Sequence, residues 1–136
     1  MLNIELYAKS IYYRAGALQN AYETLCLSIE YLEQDDFNPS KFDFASHHQY
    51  HLEHFHLSLF GVIDRCYLLV GSAIVLEDSK IEKIGGKSSI EKRLKSEKNL
   101  AGILNALEKL NSNVNSLKET RNAIAHKNSL SNEHLE

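Results

Sequence analysis

Leu117-Lys118-Glu119-Thr120-Arg121-Asn122-Ala123-Ile124-Ala125-His126-Lys127-Asn128 closes the last long helical pattern of the chain. Upstream of it, apolar residues fall at Leu100, Ile103, Leu107, Leu110, Val114 and Leu117, three and four apart, as one buried helix face requires. The next two positions on that stripe are Arg121 and Ile124. An arginine thus stands where the preceding turns carry Leu, Ile or Val. A guanidinium keeps its charge at any ordinary pH, so a buried one needs an anionic partner, a ligand or a polar cavity. Asp64 is one candidate partner. The spacing predicts a final helix from about Asn99 to His126, with His126 and Lys127 favourably placed against the negative end of its dipole.

The same periodicity organises the rest of the chain. Ile4, Ala8, Ile11, Ala15, Leu18, Tyr22, Leu25, Ile29 and Leu32 form an unbroken heptad-like stripe, predicting a first helix from about Asn3 to Gln34. Asp35 to Ser40, with Pro39, is the break. Asn38 and Pro39 suit an N-cap and first helical residue, with regular helix from near Asp43 to about Glu77. This second helix carries two adjacent stripes. Leu52, Phe55, Leu59, Val62, Cys66, Leu69, Ala73 and Leu76 make one; Phe60, Ile63, Tyr67, Val70 and Ile74 make the other. Two stripes exceed one bundle contact, so the helix is central or also serves a subunit interface. Gly61 and Gly71 would let another helix approach. Residues 78–89 read as a loop, and Ser88 with Glu91 as the capping box of a short third helix ending near Lys95. The expectation is an all-α, up-down four-helix bundle of three long helices and one short.

A chain of 136 residues, 43% hydrophobic with one Pro, suits one ordered domain. Residues 1–134 read as that domain, and Leu135-Glu136 as a cloning scar. The formal charge of −3 provides no global basic field for nucleic acid, so any RNA contact must be local. Cys26 and Cys66 are too few for a disulfide framework or thiolate zinc site and read as buried reduced thiols. There is no signal-peptide pattern, and the longest apolar run, Leu57 to Leu76, is broken by Asp64 and Arg65. A cytoplasmic protein without membrane contact is expected.

An Arg on the core seam, Asn122 directly after it and His126 near the helix end together resemble the HEPN superfamily (higher eukaryotes and prokaryotes nucleotide-binding). These are four-helix bundles whose last helix carries Arg, a polar residue, then His. The resemblance implies a homodimer with a metal-independent endoribonuclease site of toxin or defence type, silenced by or coupled to an antitoxin or nucleotidyltransferase partner, and no cofactor. His126 would act as general base or acid on the ribose 2′-hydroxyl or the leaving oxygen. Arg121 would neutralise charge on the phosphate, and Asn122 would orient phosphate or His126. Lys127 and Arg65 would add substrate contacts. The position two after the His, a Tyr in some members, is Asn128 here. Five residues turn an ideal helix by about 140°, so Arg121 and His126 do not share a face. Their convergence requires fraying or a tightened last turn together with a second subunit, and the resemblance implies such a dimer site.

Two other readings compete. One is a non-catalytic nucleotide- or protein-binding module. The other is a metal-binding bundle using His47, His51 and His54, which lie at helical spacing on one face with Ser58, Gly61 and Arg65. That face also reads as the solvated side of an apolar helix or as a polar wall of the motif cleft, and it lacks an H-E-x-x-H motif.

Overall fold

The computed structural model describes residues 3–83 and 85–135, apart from the side chains of Arg121 and of residues 124–135. The described chain is helical throughout, with no strand: α1 (Ile4–Glu33), α2 (Phe44–Ala73), the single turn α3 (Asp78–Ile81), α4 (Gly86–Lys95), a 3-10 turn (Lys98–Leu100) and α5 (Ala101–Leu135). Three long helices and one short helix make the expected bundle.

Local chemistry sets the ends. Asn3 caps α1, its Oδ1 accepting from the Glu5 and Leu6 N–H groups at 3.0 and 3.3 Å. Asp43, not Asn38, caps α2, accepting from the Ser46 N–H at 2.8 Å; that bond holds its carboxyl below the usual range. At the other end, the Leu76 N–H bonds to Gly71 O and the Val75 N–H to Ser72 O, a Schellman closure with Val75 at φ 63°. α2 therefore stops at Ala73, short of the expected Glu77. α4 starts at Gly86 behind a left-handed Gly85 (φ 85°), without the Ser88–Glu91 capping box. A Cβ on Gly86 would run into the backbone of Ile81, so this turn closes tightly.

α2 is the central element: α1 packs along it, and α3, α4 and α5 also meet it, with Arg14 of α1 reaching across to α3. The core is Ile63 and Tyr67 of α2, Ile81 of α3, Ile90 and Leu94 of α4, and Leu104, Leu107 and Val114 of α5. The α2 stripe through Ile63 and Tyr67 thus builds the core. Gly71 permits the approach of α3 and α4, since a Cβ there would lie 2.8 Å from Ile81 Cγ2.

The α1–α2 seam departs from the expected pattern. The α1 residues turned inward include Ser10, Ile11, Arg14, Leu18, Ala21, Leu25, Ser28 and Leu32; Ile4, Ala8, Ala15, Tyr22 and Ile29 are exposed. Half of the apolar stripe therefore faces outward, and small or polar residues fill the seam. Ser10 Oγ donates to Ser72 Oγ at 3.3 Å, and the Tyr7 hydroxyl to Ala73 O at 2.9 Å. The buried seam arginine is Arg14, 8% exposed, bonded to Glu82 at 2.5 Å and Asp78 at 3.4 Å. Burial opposes its charge, but the two carboxylates outweigh that and raise its pKa. Cys26 is exposed rather than buried; Cys66 is half-buried, and burial pushes its thiol up. Among the described residues, no helix is long and apolar enough to cross a membrane.

Candidate functional site

α5 runs without interruption from Ala101 to Leu135, through Arg121 and His126. The expected helix end at His126 is therefore corrected, and with it the reading of His126 and Lys127 as residues facing the C-terminal dipole. Within one unbroken helix the two residues stay about 140° apart. The side chains of Arg121, His126 and Lys127 lie outside the described residues; Asn122 is exposed. Leu107 and Val114, each one heptad apart on the line leading to Arg121, are buried. The neighbouring line, Ile103, Leu110 and Leu117, is 37–42% exposed. Asp64, the candidate partner of Arg121, has its carboxylate 2.7 Å from Lys87 Nζ.

That ion pair borders a cavity of about 660 Å³ between α1, α2 and the α3–α4 turn, where Arg14, Lys83 and Lys87 alternate with Asp64 and Glu82. Lys87 Nζ also stands 5.2 Å from the centre of the Tyr67 ring. The Tyr67 hydroxyl donates to Glu91 Oε1 at 2.9 Å; burial, that bond and the charges of Glu91 and Glu108 push the phenol far up, so it stays protonated. Arg14 and Lys87 are thus paired with carboxylates within the fold.

Arg65 is exposed, its Nη1 donating to Gly61 O at 3.1 Å beside Ser58 and His54. The stripe through His51, His54, Ser58, Gly61 and Arg65 borders α1 across grooves shared with Ala21, Thr24 and Ser28. His54 and Arg65 on this stripe are exposed, and His51, Ser58 and Gly61 are half-buried beside the small, polar side of α1.

The histidines are absorbed by rings. His51 stacks on Tyr31 (centroids 4.6 Å, planes 10° apart) and on Phe37 (5.4 Å, 23°), and His47 stacks on Phe37 (4.4 Å, 5°). His47 Nε2 meets Ser40 Oγ at 2.6 Å. Burial, then the charges of His47, His54 and His48, lower the His51 pKa. His56 is buried, and its Nδ1 bonds to Leu52 O at 2.9 Å. Among the described residues, no three His, Cys, Asp or Glu side chains come together to hold a metal, which disfavours the metal reading of His47, His51 and His54. Alternation of His with Phe and Tyr around residues 31–51 was the available signal for this aromatic cluster, and periodicity arguments passed over it.

No curated protein and no solved structure matches the chain significantly. A family model described as Cthe2314-like HEPN matches residues 2–135, nearly the full length. With its all-helical bundle and long last helix, the chain belongs to the Cthe2314-like HEPN family.

Proposed function

We propose that this HEPN domain is a metal-independent endoribonuclease of toxin or defence type that works as a homodimer. Family membership supports an RNA- or nucleotide-directed module. The observation that carries the dimeric reading is the continuity of α5: an unbroken helix keeps Arg121 and His126 on different faces, so one chain alone does not converge them. The exposed Ile103, Leu110 and Leu117 line beside the motif supplies an apolar surface for a second copy.

In this reading a neutral His126 takes the proton of a ribose 2′-hydroxyl as its oxygen attacks the adjacent phosphorus. The P–O5′ bond breaks, leaving a 2′,3′-cyclic phosphate and a 5′-hydroxyl that receives a proton from the partner copy's histidine. Arg121 offsets charge gathered on the non-bridging oxygens, and Asn122 orients the phosphate. Lys127 and Arg65 add phosphate contacts. An antitoxin or nucleotidyltransferase is the partner class such a module would engage.

The net charge of −3 favours a second reading, a non-catalytic nucleotide- or protein-binding module. Cleavage of a labelled mixed-sequence RNA in excess EDTA separates the two. The ribonuclease reading expects 2′,3′-cyclic ends from the wild type and loss with His126→Ala. Absence of cleavage by a folded wild type refutes it and leaves the binding module, detected by ligand-dependent thermal stabilisation.

A further inference from the structure

We propose that the aromatic pocket at the tip of the α1–α2 hairpin binds a flat organic cation, a guanidinium group carried by an arginine of a partner polypeptide or by a free guanidino compound. The cavity, about 540 Å³, has room for a whole arginine side chain and the backbone bearing it. Its walls are built from rings in two orientations. Tyr31, His51, Phe37 and His47 form a ladder of nearly parallel planes. Tyr50 stands at 75° to His51 and Phe42 at 76° to His47, bordering the same space. A guanidinium plane stacks on ring faces, attracted by their quadrupoles, while its edge needs acceptors. The lining offers Ser46 and tyrosine hydroxyl oxygens and contains no Lys or Arg.

The surroundings select the sign of the ligand. Glu30, Glu33, Asp35, Asp36 and Asp43 flank the pocket along the chain against the single Lys41. The lowered pKa of His51 keeps that ring uncharged at neutral pH. An RNA phosphate would meet repulsion at this tip, which sets the pocket apart from the proposed ribonuclease chemistry and makes the inference independent of it.

The test follows the imidazole NMR signals of the full chain while N-acetyl-arginine amide, an arginine-centred tripeptide, tetramethylammonium and AMP are added in turn. The arginine amide is expected to shift His47 and His51 saturably. Phe42→Ala, at a position 71% exposed and so tolerant of truncation, should weaken that binding about tenfold without changing the melting temperature. His126→Ala should leave it unchanged whatever its effect on RNA cleavage. Markedly tighter binding of the tripeptide supports a polypeptide source, and equal binding a free guanidino compound. Preference for AMP, stronger response to tetramethylammonium than to the arginine amide, or no response at millimolar ligand would each overturn the proposal.

Discussion

Replacing Arg14 tests how the α1–α2 hairpin is tied to the rest of the bundle. Its guanidinium reaches from α1 to Glu82 at 2.5 Å and Asp78 at 3.4 Å, at the two ends of the α3 turn. A hydrogen bond to a charged group contributes about 1.5–3 kcal/mol when sheltered, and an exposed ion pair about 0.2–1 kcal/mol. The arginine is buried, but the Asp78 and Glu82 side chains are 67% and 55% exposed, so water screens one side of each pair. The working value lies between, about 1–2 kcal/mol for the two contacts together. Arg14→Met keeps the apolar stem and removes the charge, and should cost that amount. Arg14→Ala should cost about 1 kcal/mol more, because the packed methylenes go too. At this chain length each kcal/mol corresponds to about 3–5 °C in Tm. Urea unfolding of both variants, with Glu82→Gln and Asp78→Asn, reads the contributions separately. The shorter contact makes Glu82→Gln the costlier of the two, and added salt should shrink both effects. A fully stable Arg14→Met, or an Asp78→Asn loss equal to that of Glu82→Gln, would refute the reasoning.

Val75 holds the left-handed conformation at the end of α2 while 54% exposed, so Val75→Gly should raise stability by about 1 kcal/mol in a thermal melt, with little burial lost. Gly86→Ala drives a Cβ into Ile81 and should cost about 2 kcal/mol or more by urea unfolding. His51, with its folded pKa lowered, carries fewer protons in the fold than in the unfolded chain; stability should be full above pH ~6.5 and fall as pH drops through that value toward the folded pKa. His51→Phe keeps a ring in the stack and should show a smaller Tm loss between about pH 7.5 and pH 5.5. If the proposed homodimer forms through α5, Leu110→Asp and Leu117→Asp, at half-covered positions, should convert it to a monomer in light scattering while the helical circular dichroism is retained.

Secondary structure and family were legible because they rest on local rules. Apolar residues three and four apart and a break around Pro39 are written along the chain, and they yield three long helices and one short, although the cap of α2 fell to Asp43 rather than Asn38. The Arg121, Asn122 and His126 pattern likewise needed no coordinates to suggest a HEPN domain. Partner choice was another matter. Periodicity names the apolar line on α1 but not what it meets. In the fold, α5 packs on α2 and α4 and, among the described residues, not on α1, so Ala15, Tyr22 and Ile29 face outward and Arg14 enters the seam. Val75 takes a conformation that β-branched residues avoid, and no propensity would end α2 there. The histidines of α2 read as a polar face by spacing alone. They become a stacked ladder because the 34–43 connection folds Phe37 back onto them, a contact between residues 10 and 14 apart that no helical period encodes. Sequence by itself determined which segments are helical and which family they compose; tertiary packing decided which charged and aromatic groups meet, because those contacts depend on distances between helices rather than on the order of residues within one.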